Sequence, residues 1–143
     1  MALVSMREML AAADRNQFAV GAFNANNMEI VQAIIQAAEA EKAPVIMQAS
    51  QGAIKYAGLE YITGMVRIAA ADSSVPVALH LDHGTDFDQV IRCIRSGFSS
   101  VMYDDSKQPR LAGQRQCRSH HRQAAQRPDR HGAPGLSGRI YAL

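Results

Sequence analysis

Tryptophan is absent from this 143-residue chain, and aromatic residues make up only 6% of it. A core must therefore be assembled from aliphatic side chains and methionine, and hydrophobic residues at 48% are numerous enough to supply one. Cysteine is scarce too. Cys93 and Cys117 make no disulfide framework and read as ordinary thiols. No apolar run approaches the roughly 20 residues that a membrane-spanning helix needs. Met1 to Met6 lacks the charged-then-apolar pattern of a secretory signal. The expectation is a soluble cytoplasmic protein with no membrane segment, one domain long, with room for a tail.

Neither sign of charge dominates overall, since the net charge is +2, but the distribution is uneven. Residues 1–107 hold 8 Lys+Arg against 12 Asp+Glu, whereas residues 108–143 hold 7 arginines, no lysine and one acid, Asp129. The basic character belongs to the tail and does not argue for nucleic-acid binding by the domain. Residues 108–143 also lack valine, phenylalanine, methionine and any periodic stripe. Such a segment buries too little to offset its ordering entropy, so an irregular tail is expected. The abruptness of the change suggests a coding sequence read out of frame.

What is present before Lys107 is regular. Ser5-Met6-Arg7-Glu8 has capping-box spacing ahead of a Met6, Met9, Leu10, Ala13 stripe. Phe18 to Asn24 reads as a strand. Asn26 or Asn27 caps a helix whose buried face is Val31, Ile34, Ile35 and Ala38, and Pro44 opens a second strand, Val45 to Ser50. Gln51-Gly52 reads as a turn before a helix carrying Leu59, Ile62, Met65, Val66 and Ala69. Pro76 leads into a third strand, Val77 to Gly84. Thr85 is placed to cap a helix with Phe87, Val90, Ile91 and Ile94 inward, ended by Gly97, and Ser100 to Asp104 is the fourth strand. Repeated strand–helix units argue for a parallel sheet covered by helices.

Asn24, Ser50, Asp82, His83 and Asp104 all fall at C-terminal strand ends, the rim where parallel α/β folds and (β/α)8 barrels build active sites. Within His80-Leu-Asp-His-Gly84 a carboxylate and an imidazole stand side by side, a pairing suited to metal-assisted proton transfer.

Residues 1 to about 107 resemble the class II fructose-bisphosphate aldolases, including the similar tagatose-bisphosphate aldolases. The resemblance rests on Phe18 to Asn24, Ala43 to Ser50, His80 to Gly84 and Gly97 to Asp104. It implies the N-terminal half of a (β/α)8 barrel, four parallel strands with their helices, over residues 1–107. It implies a Zn²⁺-dependent lyase of carbohydrate metabolism and glycolysis, cleaving a ketose 1,6-bisphosphate into dihydroxyacetone phosphate and glyceraldehyde 3-phosphate. By position, His83 matches a zinc ligand, Asp82 the catalytic acid/base and Asp104 a carboxylate at a second metal position. Asn24 and Ser50 match residues that contact the phosphorylated sugar.

The resemblance also implies that the remaining zinc histidines fall beyond Lys107. His120, His121 and His131 match no strand end, so the chain alone is expected to be inactive. Tyr103 and Asp105 stand where the family has an aliphatic and a small residue. Four strands of eight would leave open edges, which predicts poor solubility or association of half-barrels into a homo-oligomer. Other readings are Schiff-base chemistry at Lys107 or Lys55, a metallohydrolase, a binder acting through the basic tail, and a nonfunctional frameshifted product.

Overall fold

The structure, a computed structural model, describes residues 3–104. The expectations for Asp105, Lys107, Cys117, the three later histidines and the 108–143 tail lie outside the described residues. The elements run α1 (Met6–Asn16), β1 (Gly21–Asn24), α2 (Met28–Glu41), β2 (Val45–Ser50), α3 (Gln51–Ala57), α4 (Leu59–Asp72), β3 (Val77–Gly84), α5 (Phe87–Ser96) and β4 (Ser100–Tyr103). All strand pairs are parallel and the sheet order is β1-β2-β3-β4. Each new strand joins beside the last, the order that the first half of a (β/α)8 barrel requires.

Local chemistry sets the boundaries. The Ser5 hydroxyl accepts a hydrogen bond from Arg7 N at 3.2 Å, and Asn27 Oδ1 accepts one from Ile30 N at 2.9 Å. At the other end of α2, left-handed Lys42 bonds back to Ala38 and Glu39 before Pro44 starts β2. Gly97 closes α5 at φ +94°, a conformation suited to glycine.

The structure departs from the sequence reading at four places. The first strand begins at Gly21, not Phe18, because the Phe18 N–H is used on Ala13 O, completing the end of α1. Gln51-Gly52 is helical, since the Ser50 hydroxyl caps α3 by accepting from Ala53 N at 3.2 Å. Asp86 rather than Thr85 caps α5, and the Thr85 hydroxyl instead lies 2.9 Å from the Gln51 side chain. Finally, α5 buries Val90 and Cys93, while Phe87 and Ile94 are more than half exposed. Cysteine packs as a small apolar residue, which turns the buried face toward it. Burial pushes the Cys93 thiol up to about 11, so it is no nucleophile at neutral pH.

Two apolar layers flank the sheet. Met47, Leu79 and Leu81 pack under the outer helices with Ile62, Val66 and Cys93. On the opposite face Ile46 and Ala78, paired in register, meet Met6 and Met9 of α1. Helix α1 therefore covers the N-terminal part of the inner face and leaves the C-terminal rim to polar residues.

Glu39 ties α2 to the turn after α4. Its carboxylate accepts hydrogen bonds from the Ser73 and Ser74 hydroxyls and the Ser74 N–H. These bonds, led by that of Ser73, lower its pKa from 4.5 to about 2. A depressed carboxylate stabilises the fold fully above its ordinary pKa and loses that contribution as pH falls toward the folded-state value. Stability should thus decline between about pH 4.5 and 2, and Glu39→Gln should flatten this decline in urea titrations across the range. An acid limb unchanged by the substitution would show that the clamp contributes nothing.

Candidate active site at the strand tips

Register places the polar tips on one face. Ala22 pairs with Ile46 and Asn24 with Gln48; Ile46, Gln48 and Ser50 pair with Ala78, His80 and Asp82; and His80 pairs with Ser100. Because side chains alternate along a strand, Asn24, Ser50 and Asp82 share the face that α1 covers lower down. The sequence expectation of a common rim holds, but the residues are not equally close. Ser50 and Asp82 are direct cross-strand neighbours, whereas Asn24 lies on β1, two residues short of Ser50 in register.

His83 breaks the alternation. Between Leu81↔Val101 and Gly84↔Tyr103, β3 spends two residues, Asp82 and His83, where β4 spends one. That extra residue is a β-bulge, a device that re-aims side chains beside functional sites. His83 takes the left-handed conformation at φ +53°, uncommon for a residue with a Cβ. The turn brings its Nδ1 to 3.3 Å from Asp104 Oδ2 and its Nε2 to 3.8 Å from Asp82 Oδ1. An ionised carboxylate only accepts, so Nδ1–H donates to Asp104 in this tautomer. The bond from Asp104 N to Gly84 O, 2.8 Å, holds the two strand ends together just past the bulge. No room is left at Gly84, where an added Cβ would come within 3 Å of Leu81, Val90 and the Met102 carbonyl.

The sequence reading gave His80 no role of its own. It is fully buried, with Nδ1 2.7 Å from Ser100 Oγ, and the Ser100 hydroxyl in turn donates to Met6 Sδ at 3.3 Å. Burial lowers the His80 pKa, favouring the neutral ring. It pins β3 to β4 directly below the bulge. The signal that could have found it was its parity with Asp82, which put a polar ring on the inner face. Ser50, expected to meet substrate, has its hydroxyl oxygen engaged as the α3 cap and keeps an O–H to donate.

Catalytic zinc takes three protein ligands and keeps one position open. At the rim the described residues offer one imidazole, that of His83, flanked by carboxylates, since His80 is buried beneath it, and no group of three or more His, Cys, Asp or Glu among them is arranged to hold a metal. His83 has the chemistry for one corner of a zinc site: a carboxylate on one ring nitrogen, as Asp104 Oδ2 is on Nδ1 at 3.3 Å, is the arrangement that commonly orients a ligating histidine through its other nitrogen. A complete site is not formed by these residues.

Comparison with known proteins agrees with this geometry. Residues 4–127 match the family model described as fructose-bisphosphate aldolase class-II. The chain is 50% identical over 104 residues to a fructose-bisphosphate aldolase of Thermus caldophilus, covering 73% of this chain and 34% of that one. It is 50% identical over 112 residues to a fructose-bisphosphate aldolase of Geobacillus stearothermophilus and, equally, to a 6-phospho-5-dehydro-2-deoxy-D-gluconate aldolase of Halalkalibacterium halodurans; each match covers 76% of this chain. The chain thus spans only 39% of the length of these last two relatives. Among solved structures, the YdjI aldolase from Escherichia coli K12 superposes with a TM-score of 0.68 at 31% identity, over 73% of this chain and 40% of that one. The four-strand parallel sheet, its polar rim and these matches together place the chain in the class II fructose-bisphosphate aldolase family.

Proposed function

We propose that these residues form the first half of the active site of a zinc-dependent aldehyde-lyase. The reaction is reversible aldol cleavage of a phosphorylated ketose, fructose or tagatose 1,6-bisphosphate, to dihydroxyacetone phosphate and glyceraldehyde 3-phosphate in the cytoplasm. The observation that carries this reading is the bulge that sets Asp82 beside His83, with Asp104 on the imidazole.

In cleavage the Asp82 carboxylate takes the proton of the substrate hydroxyl. That oxygen becomes the aldehyde carbonyl as the carbon–carbon bond breaks, and the bonding electrons pass to the carbon beside the ketone. In the reverse direction Asp82 returns the proton to the new hydroxyl. His83 contributes one imidazole ligand, and Asp104 holds its ring. Zinc, when bound, supplies Lewis-acid stabilisation of the negative charge that develops on the ketone oxygen. Ser50 and Asn24 are positioned on the same face to donate to substrate hydroxyl or phosphate oxygens. Overall similarity does not select the sugar: relatives equally similar to this chain carry names for different phosphorylated substrates.

Because the described residues bring one imidazole to the rim and catalytic zinc takes three protein ligands, the chain alone is expected to lack activity; the abrupt change of residue mixture after Lys107 supports an out-of-frame tail, which the family match to residue 127 opposes as far as that residue. Sequencing the coding DNA tests the tail. The site is tested in a chimera joining residues 1–104 to the remaining portion of the Geobacillus relative. We expect cleavage of fructose 1,6-bisphosphate that is lost on chelation and restored by Zn²⁺. Activity that survives chelation, with a lysine such as Lys55 trapped by borohydride and substrate, would overturn the proposal.

A further inference from the structure

We infer that the buried His80–Ser100 pair sets the register of β4 against β3 and thereby forces the bulge that presents His83. His80 and Ser100 are then positioning residues, acting through the backbone conformation of His83. The consequence for zinc rests on the proposed function; the consequence for conformation does not.

Below the bulge, His80 pairs with Ser100 and Leu81 with Val101; above it, Gly84 pairs with Tyr103. Two registers, one residue apart, therefore meet at Asp82-His83. The upper one is held by Asp104 N, which donates to Gly84 O at 2.8 Å. Continued down the strands without a bulge, it would set Leu81 opposite Ser100 and His80 opposite Ser99. A one-residue slip exchanges the faces of a strand, so Ser100 would turn from the inner face into the apolar layer beneath the helices. Val101 would leave that layer.

The lower register is held by side chains as well as by the ladder. At the foot of β4, Ser99 N donates to Leu79 O at 2.8 Å, and Leu79 N donates to Ser99 Oγ at 3.2 Å. One step on, His80 Nδ1 lies 2.7 Å from Ser100 Oγ, whose proton goes to Met6 Sδ. Nδ1–H is therefore the donor to Oγ, and the bonds run from β3 through β4 to α1. Both side chains are buried, so a slip that parts them leaves the Ser100 hydroxyl among apolar groups, which is costly. Ser99 could face His80 in the slipped register only by giving up Leu79 N. With the lower register fixed here and the upper one at Gly84, β3 must spend one residue more than β4, and His83 takes the left-handed turn.

Nuclear magnetic resonance on the full chain tests this, because the HN–Hα coupling and Cα shift of His83 report its φ in folded molecules whatever their stability. Cross-strand contacts of Leu81 report the register. Ser100→Ala removes the bond in the observed register and the buried hydroxyl in the slipped one. It should move His83 to extended values and set Leu81 opposite residue 100. His80→Leu should act in the same direction but less, since Ser100 still resists turning outward. Ser100→Thr, which keeps the hydroxyl, should match the parent, and so should Ile62→Val, a core change on α4. In the chimera, Ser100→Ala should weaken zinc binding roughly 10–100-fold, the loss seen when support of a ligating histidine is removed. A left-handed His83 with Leu81 opposite Val101 in both breaking variants would overturn the inference, as would an equal shift in Ile62→Val. Movement of His83 with unchanged zinc affinity would uphold it and overturn the zinc role of His83 instead.

Discussion

Asp82→Asn should lower kcat of the chimera by roughly 10²–10⁴-fold while leaving KM within a few-fold, the loss expected when a positioned acid/base is removed. The amide has almost the shape of the carboxylate, so the bulge and the Ser50–Asp82 register are kept. What disappears is the ability to take the hydroxyl proton in the transition state. His83→Ala differs in kind: it should reduce zinc content, whereas Asp82→Asn should keep zinc and lose turnover. Metal analysis beside steady-state kinetics separates the two. A fall in kcat below ten-fold for the amide variant would remove Asp82 from the proton-transfer role.

Leu79→Ala should destabilise the domain by about 2–5 kcal/mol, the range for emptying a leucine-sized space in a packed core. Leu79 has no exposed surface, sits mid-strand in β3, and packs in the cluster that contains Met47, Ile62 and Val66. Against a typical domain stability of about 5–15 kcal/mol, that loss is a large share of the total. Ile68→Ala on exposed α4 should change stability by no more than about 0.5 kcal/mol. Urea unfolding of the two variants beside the parent chain, at one fixed protein concentration, compares them. Equal losses at the two positions would mean that β3 is not the centre of the core.

The parallel sheet was legible because its signals are local. Each strand is a short apolar run, each helix repeats apolar residues at three and four, and Asn27, Pro44 and Gly97 act where the sequence puts them. The grouping of Ser50, Asp82 and Asp104 followed from their common position at C-terminal strand ends. What escaped notice depends on contacts between distant segments. The bulge at Asp82-His83 exists only because β4 arrives one residue short, and nothing within His80 to Gly84 announces that mismatch. The role of His80 needs Ser100 and Met6, twenty and more residues away in either direction. Helix α3 was missed for a smaller reason: Ser50 was read as a substrate contact, which hid its service as a cap.

The left-handed twist at His83 has a consequence for any effort to make this molecule sturdier. A residue with a Cβ held there stores of the order of 1–3 kcal/mol of backbone strain, and glycine or asparagine would release part of it. A library screened for heat resistance alone should therefore drift toward those residues at position 83. The winners would be more robust and chemically mute, since the same substitution that relaxes the chain deletes the imidazole that the twist exists to present.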